Sequence, residues 1–411
     1  MIVNRYFTVI TNDSGIVDKL AFQMRILYNL GAACGFIYVH TPLAYERSLQ
    51  SHHFRNITDK IETFLFFNLK LKVPMFIEKI VRQLDRVLSK LDHFFNKYID
   101  WRKHDTLNKF LGLDDFNNRV NEKKFSRYSI VDVPLKEIVT NNNITTLEKF
   151  KEVLESHIIE AENVIYSFSS ERIYHHLADL AKILANSRID VSNYQYLSFS
   201  EKYWRVKDRS VLHSPFQEGK LKVVIHIRRG DSVVVDLGSQ KIYVHGDVTT
   251  YDEFQGVLKI DSGREIVLDE YKPIVRKIFQ EFGETNISCV VISDGYELTF
   301  RRIVRAISRG QLRLKHDELE MVRQLHRSAT EEPTELLNYQ DVSYIIGETN
   351  SNLVKSIHAL ACADVVIYGS IGFSFGVHKL FRKNMSSVMI DVKNKHDDYL
   401  DGITTMIAAI K

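Results

Sequence analysis

The chain has 411 residues, which is too long for one ordinary hydrophobic core and predicts two domains. Hydrophobic residues make up 45% and charged residues 26%, a balance typical of a globular protein rather than a disordered or membrane-embedded one. Its 55 Lys and Arg against 52 Asp and Glu give a formal net charge of +3, which argues against a dedicated nucleic-acid-binding protein with a strongly basic face.

The three cysteines, Cys34, Cys289 and Cys362, are widely separated and show no spacing typical of a zinc site. A small and odd number of cysteines favours buried free thiols in a reducing compartment. The sequence shows no signal-peptide pattern and no run of about 18 apolar residues, so the expected location is the cytoplasm.

The first elements follow the order strand, helix, strand. Residues 2–10 are predicted to be a strand, and a helix follows with apolar positions from Val17 to Leu30 on one face. Residues 35–40 form a second predicted strand that ends at Thr41-Pro42. This order is typical of the start of a parallel sheet.

The segment 43–215 is predicted to be mostly helical. Apolar residues keep helical spacing across 76–101, and further helices are predicted at about 146–166 and 171–186. The helix 76–101 also has a basic face, which we interpret as solvated, with the apolar stripe in the core. The alternative is a peripheral contact with the inner face of the membrane.

After Ser214-Pro215 the pattern changes to buried strands that alternate with helices. Strands are predicted at 223–227, 289–293, 364–368 and 387–390, and helices at 267–282, 296–308, 316–327, 350–363, from Gly372 onward, and at 398–410. Apolar strands without polar alternation indicate a doubly wound parallel sheet. We therefore expect an α/β protein with an acceptor-side domain at 1–215, a nucleotide-binding domain at 216–397, and a C-terminal helix at 398–411 that packs back on the first domain.

Polar residues follow the strands of the second half at their carboxyl ends, where doubly wound sheets bind ligands. The first cluster runs from His226 through Arg228, Arg229 and Gly230 to Asp231. Two adjacent arginines at the end of a buried strand can bind the oxygens of a diphosphate in bidentate fashion and neutralise the charge that develops as it leaves. A structural Arg–Asp network at a domain interface explains the same residues equally well.

Two further clusters lie at later strand ends. Ser293 and Asp294 follow the strand 289–293, and Ser370, Gly372 and Ser374 follow the strand 364–368 at the start of a helix. Hydroxyl groups and backbone N–H groups at a helix N-terminus can bind a phosphate. The simpler interpretation is that the glycines only permit the turn.

The run from His226 to Asp231 resembles the H-x-R-R-x-D signature of the fucosyltransferase-like glycosyltransferases. This resemblance covers about the last 190 residues, and Ser293-Asp294 and the Ser370–Ser374 turn are similar to supporting features of the family. It implies a GT-B fold, in which two Rossmann-like domains face a cleft. It also implies a metal-independent, inverting transferase that uses a nucleotide sugar, with GDP-fucose expected, as co-substrate and no separate cofactor.

The resemblance also implies roles for individual residues. Arg229 would contact the diphosphate, with His226 and Arg228 lining the same pocket. A carboxylate five residues after the aspartate of the motif would be the catalytic base, and that position is Asp236, where the corresponding branch of the family has Glu. The acceptor would be a glycan or lipid-linked glycan, and the setting would be bacterial surface polysaccharide synthesis.

Two alternatives remain open from the residues. A retaining transferase would use a carboxylate such as Asp231 as nucleophile, with another donor such as CMP-Kdo. A non-catalytic nucleotide-binding protein would bind the nucleotide without turning it over. The stereochemistry of the product separates the first alternative from an inverting enzyme, and the absence of turnover identifies the second.

Overall fold

The structure is a computed structural model, and it describes only part of the chain. The described residues are 5–11, 17–41, 106–113, 116, 118–120, 122–141, 144–158, 162–170, 174–186, 199–206, 215–228, 233–236, 241–244, 268–295, 300, 304, 316, 320, 323, 326, 342–347, 350–369, 372–393, 402, 405, 407 and 408. Those before residue 210 belong to one compact unit and those after it to a second. We name these the N-terminal unit and the C-terminal unit.

The N-terminal unit is built on a four-stranded parallel sheet. Its strands are β1 (Tyr6–Ile10), β2 (Ile37–Tyr38), β3 (Ser129–Asp132) and β4 (Val164–Ser169), in the order β2-β1-β4-β3. A π-helical segment (Asp18–Met24) leads into α1 (Arg25–Ala33), and the other helices are α2 (Thr106–Leu111), α3 (Leu135–Asn141), α4 (Leu147–His157), α5 (Leu177–Asn186) and α6 (Phe199–Arg205). The predicted strand–helix–strand opening is confirmed.

Close packing of α1 on the sheet depends on a glycine. A Cβ at Gly31 would overlap the ring of Phe7 on β1, so only glycine allows the helix to approach the strand this closely. Phe7 is fully buried and contacts the rings of Tyr28 and Phe168, with centroids 6.2 and 5.3 Å apart. Aromatic packing between the helix and the sheet therefore forms a large part of this core.

The prediction of a helix over 146–166 is wrong at its C-terminal end. The helix α4 ends at His157, and Val164–Ser169 is the buried central strand β4. Asn163 precedes that strand with φ of 60°, a left-handed conformation that asparagine tolerates better than most residues. The helical spacing of the apolar residues does not indicate this turn. The segment 43–215, which the sequence pattern predicts to be mostly helical, contains two strands of the sheet, β3 and β4. The predicted helix 76–101 lies outside the described residues.

The C-terminal unit is built on a five-stranded parallel sheet. Its strands are β5 (Leu221–Ile227), β8 (Ile287–Ser293), β9 (Val342–Ile346), β10 (Val365–Tyr368) and β11 (Val388–Asp391), in the order β11-β10-β5-β8-β9. A separate antiparallel hairpin joins β6 (Val233–Asp236) and β7 (Lys241–Val244). The helices are α7 (Leu268–Phe282), α8 (Asn350–Cys362) and α9 (Phe373–Phe381).

In order along the chain, the five parallel strands are arranged 3-2-1-4-5, the order of a doubly wound sheet. Strand β5 lies in the centre and pairs with β8 on one side and with β10 on the other. The first three of these strands, β5, β8 and β9, therefore form one half of the sheet, and the last two, β10 and β11, form the other. The point of reversal lies between β5 and β10, where sheets of this kind open a crevice at their carboxyl ends.

The main core of the C-terminal unit lies between the sheet and α7. Tyr271, Ile274 and Ile278 of this helix are almost fully buried against Val223, Ile225 and Ile367 of the strands. Because the inner strands are apolar on successive residues, both faces of the sheet are covered. The protein is therefore α/β, with one parallel sheet in each unit.

The described C-terminal residues include Ile407, which is fully buried in this same core. The packing of helix 398–410 against the first domain stays a prediction. Within the described residues, none of the helices has the length and apolarity needed to span a bilayer.

A buried histidine lies just after β2 in the N-terminal unit. His40 is 1% exposed, its ring stacks on Phe116 with centroids 4.9 Å apart, and its Nδ1 lies 3.1 Å from the Tyr38 hydroxyl. Burial lowers the pKa of His40 to about 3, although the nearby Asn108 side chain opposes the shift. The imidazole is therefore neutral in the folded protein at neutral pH.

We predict that His40 makes the free energy of unfolding depend on pH. Below the ordinary histidine pKa of about 6.5, the unfolded chain binds a proton that the folded chain excludes, so stability falls as pH decreases toward 3. This effect amounts to at most about 1.4 kcal/mol per pH unit. Urea unfolding between pH 7 and 5 should show a shallower pH dependence in His40→Gln than in the wild type. The exposed His175→Gln is the control, and equal slopes in all three proteins would contradict the assignment.

Candidate functional site

The end of β5 is held in place by a hydrogen bond from the core. The hydroxyl of Tyr271, on α7, donates to the carbonyl oxygen of His226 over 3.1 Å, and Tyr271 is 1% exposed. This contact fixes the backbone where the strand leaves the sheet. Arg228 follows one residue after β5 and is half-buried. Its position is therefore set by a rigid part of the fold.

The residues after β10 lie beside Arg228. His226 pairs with Tyr368 in the parallel ladder, so the segments that follow both strands leave the sheet at the same edge. A Cβ at Gly372 would lie 3.9 Å from Nη1 of Arg228, an ordinary van der Waals distance. The structure thus brings together Arg228 and Gly372, which are separated by more than 140 positions in the sequence.

Gly372 is also the N-cap of α9, and the helix has no side-chain cap at this end. The first intrahelical bond runs from Gly376 N to Gly372 O, over 2.8 Å. The N–H groups of Phe373, Ser374 and Phe375 consequently have no acceptor within the helix and point out from its N-terminus. Such a terminus carries a partial positive charge and attracts anions, as the neighbouring guanidinium does.

Ser374 is a second polar group at this terminus. Its side chain is fully buried, and its Oγ makes no hydrogen bond. A buried hydroxyl without a partner usually costs about 1–3 kcal/mol. The fold bears this cost in the first turn of α9, whose N-cap Gly372 lies beside Arg228.

The ring of His226 packs against Phe373, the first residue of α9, with centroids 5.9 Å apart. His226 is 6% exposed. It therefore links β5 to the helix N-terminus and helps to hold the two halves of the site together.

Ser293 and Asp294 lie at the end of the neighbouring strand β8, but the Ser293 hydroxyl has a structural contact. Ser293 pairs with Ile227 in the ladder and is 2% exposed, and its Oγ accepts a hydrogen bond from Gly295 N over 3.0 Å. Gly295 has φ of 70°, which a glycine adopts without strain. The Ser293 hydroxyl thus stabilises a tight turn, and donor binding by Ser293 and the half-buried Asp294 stays a prediction.

Asp236, the predicted catalytic base, is the last residue of β6 in the antiparallel hairpin, opposite Lys241 of β7. The structure describes its backbone and not its side chain. Arg229, Asp231 and Ser370 lie outside the described residues. The structure therefore brings together His226, Arg228, Gly372 and Ser374, and the contacts of the other candidates stay predictions.

Three residues that help to build this edge were not found from the sequence. Tyr271 and Phe373 contact His226, and the Asn352 side chain donates to the carbonyl oxygens of Ile346 and Gly347 at the end of β9, over 2.7 and 3.2 Å. Each lies on a helix and looks like an ordinary core or cap residue in the sequence. Only the strand order shows that they support the same edge.

The part of the chain that the structure describes contains no group of three or more His, Cys, Asp or Glu side chains arranged to hold a metal ion. The charge available to an anion at the described site comes from Arg228 and the N-terminus of α9.

No protein-family model matches the chain, and no curated protein or solved structure is significantly similar to it.

We predict that Ser374→Ala separates stability from ligand binding. Because the hydroxyl has no partner, its removal should leave the free energy of unfolding unchanged or raise it by up to about 1 kcal/mol. If the hydroxyl serves a bound phosphate, inorganic pyrophosphate should bind more weakly. Urea unfolding and isothermal titration calorimetry measure the two effects.

Ser288→Ala is a matched control for this variant. Ser288 is also buried, but its Oγ accepts a hydrogen bond from Gln217 N over 3.1 Å at the opposite end of the sheet. Its loss should destabilise the fold by about 1 kcal/mol and leave pyrophosphate binding unchanged. If Ser374→Ala behaves like Ser288→Ala in both measurements, the Ser374 hydroxyl is structural.

Proposed function

We propose that the protein is a glycosyltransferase that takes its sugar from a nucleoside diphosphate sugar, with GDP-fucose as the expected donor. The observation that carries the proposal is the guanidinium of Arg228 beside Gly372 at the uncapped N-terminus of α9. Two independent sources of positive charge converge there on the reversal point of a doubly wound sheet. A diphosphate matches this arrangement, since one phosphate can bind the helix terminus while the other binds the guanidinium.

The motif from His226 to Asp231 narrows the proposal to an inverting, fucosyltransferase-like enzyme. On this proposal the fold is of GT-B type, with two Rossmann-like domains facing a cleft. The two parallel sheets, one in each unit, support that fold. The acceptor is proposed to be a glycan or a lipid-linked glycan.

The proposed chemistry is a direct displacement at the anomeric carbon of the donor sugar. A carboxylate takes the proton of the acceptor hydroxyl as its oxygen attacks, and the nucleoside diphosphate leaves. Negative charge on the diphosphate grows during this step, so Arg228, Arg229 and the N-terminus of α9 stabilise the transition state more than the bound donor. Asp236 is the proposed base.

The first experiment is a thermal-shift screen of GDP, UDP, CMP and TDP sugars with the whole chain. A donor at about 100 times its dissociation constant should stabilise the folded protein by about 2.7 kcal/mol. A clear preference identifies the nucleotide. If none of the four classes shifts the unfolding transition, the proposal of a nucleotide-sugar enzyme is contradicted.

We predict that lysine does not replace either arginine. Arg228→Lys and, separately, Arg229→Lys keep a positive charge but lose the bidentate fork, so both donor affinity and turnover should fall. The expected loss of turnover is on the order of 100-fold. The exposed Arg276→Lys on α7 is the control and should match the wild type in both measurements. Normal binding and turnover in both site variants would show that the motif is structural here.

Asp236→Asn should behave differently from the arginine variants. A base acts on the acceptor hydroxyl and not on the nucleotide, so this variant should bind the donor normally and lose turnover. Calorimetry of donor binding and a product assay by NMR, which also gives the anomeric configuration, check the two expectations. If Asp231→Asn shows this behaviour while Asp236→Asn stays active, Asp231 is a nucleophile and Asp236 is not the base. The product should then have the same anomeric configuration as the donor sugar.

A further inference from the structure

The edge strand β3 of the N-terminal sheet is exposed along its whole length. All four residues, Ser129–Asp132, are exposed, and Ile130 and Val131 are 46% and 41% exposed. Because successive side chains of a strand point to opposite faces, both faces of this strand carry an exposed aliphatic residue. Parallel sheets are usually covered on both faces. The edge strands β9 and β11 of the C-terminal sheet each contain buried residues, so β3 differs from them.

The hydrogen-bonding groups on the outer side of β3 can be identified from the register. Ser129 N donates to Asn163 O and Val133 N donates to Ser167 O, both over 3.0 Å, and Val131 pairs with Tyr166 between them. In a parallel ladder every second residue of a strand forms its backbone hydrogen bonds with the same neighbouring strand, and the residues between them turn their backbone groups to the other side. The peptide groups of Ile130 and Asp132 therefore face away from β4, and β3 is the last of the strands that the structure describes in this sheet.

The charges near β3 differ between its two ends. Arg127 is exposed two residues before the strand, and Asp132 is exposed at its last position. Lys136 and Glu137, which follow on α3, are both exposed and offset each other, and Lys124 pairs with Glu122 over 3.2 Å. The strand thus runs from a basic end to an acidic end.

We propose that β3 pairs with β3 of a second copy of this chain in antiparallel orientation, which joins the two N-terminal sheets across a two-fold axis. In antiparallel pairing the basic end of each strand lies beside the acidic end of the other. With Ile130 opposite Ile130, Asp132 of each copy lies opposite Tyr128 of the second copy, one residue from Arg127. Ile130 lies opposite Ile130 of the second copy, because the outward-facing backbone N–H and C=O groups of one strand must pair with outward-facing groups of the other. A two-fold interface of this kind is self-complementary, as in most homodimers.

Other occupants fit these features less well. A parallel pairing would place like charges at the same end, and a partner of uniform charge would be repelled by one end of the strand. An open strand edge with exposed aliphatic residues is a template for pairing, and proteins usually protect it. A second copy covers the outward peptide groups and the aliphatic residues together.

The contact of two four-residue strands is small, so the dimer should be weak. Sedimentation equilibrium of the full chain from about 1 to 200 µM should show a monomer–dimer equilibrium with a dissociation constant in the micromolar range. Ile130→Lys places two lysines opposite each other and should raise this constant about tenfold or more. Met385→Lys is the matched control, because Met385 is 72% exposed in the C-terminal unit, and it should leave the constant unchanged.

A charge exchange tests the orientation. Arg127→Glu and Asp132→Lys should each weaken the dimer, while the double variant reverses the polarity of the strand and should restore it. Lys182→Glu, at an exposed position of α5 in the same unit, controls for the change in net charge.

A chain that stays monomeric to about 200 µM, or a dimer that Ile130→Lys leaves intact, overturns the proposal. A double variant that is weaker than both single variants overturns the antiparallel orientation. None of these results bears on nucleotide-sugar binding, since the strand lies in the other unit.

Discussion

The ladder between β5 and β10 is the interaction on which the candidate site depends. These strands are separated by more than 130 residues, yet Val365–Tyr368 pairs with Val223–His226 without a break. Both are inner strands with apolar side chains on both faces, so a shift of register would place the residues that follow them at different heights above the sheet. Burial of the two strands thus fixes the position of Arg228 relative to the N-terminus of α9.

The two sheets share one feature of chain order. In each of them the first strand lies in the interior, with the second strand on one side and a later strand on the other. In the N-terminal sheet a hydrogen bond from Ser170 N to Ile10 O, over 3.0 Å, joins the carboxyl ends of β1 and β4. The Ser170 hydroxyl donates to Gln23 of the π-helical segment over 2.5 Å. In the C-terminal sheet the equivalent edge carries a guanidinium and an uncapped helix terminus. The same topology therefore carries neutral hydrogen bonds at this edge in one unit and cationic groups in the other.

The sequence predicts strands β5, β8, β10 and β11 and helices α7, α8 and α9 of the C-terminal unit, because these strands are short apolar runs between amphipathic helices. It does not predict the hairpin of β6 and β7. It fails at β4, where a strand follows a helix after a brief turn at Asn163, and at β3 and β9, whose side chains are partly or wholly exposed. For the site, sequence patterns identify Arg228 and Gly372 separately. Their proximity depends on strand order, which is a long-range property that no local pattern contains. Tyr271 illustrates the same limit, since its hydroxyl acts on His226 from a helix 45 residues away.

On the proposed function, the arrangement at Arg228 explains how a leaving diphosphate could be stabilised by protein groups alone. A helix terminus is a fixed source of positive potential, since its N–H groups are held by the backbone and need no reorganisation as charge develops. A guanidinium adds a full charge and a planar pair of donors, but its long side chain must be positioned. Here the backbone before Arg228 is held by Tyr271, and the guanidinium lies beside Gly372, which presents no side chain to it. The N-terminus of α9 and the guanidinium of Arg228 therefore act on the same small volume. This arrangement suits an anion whose negative charge increases during the reaction better than an anion whose charge stays constant.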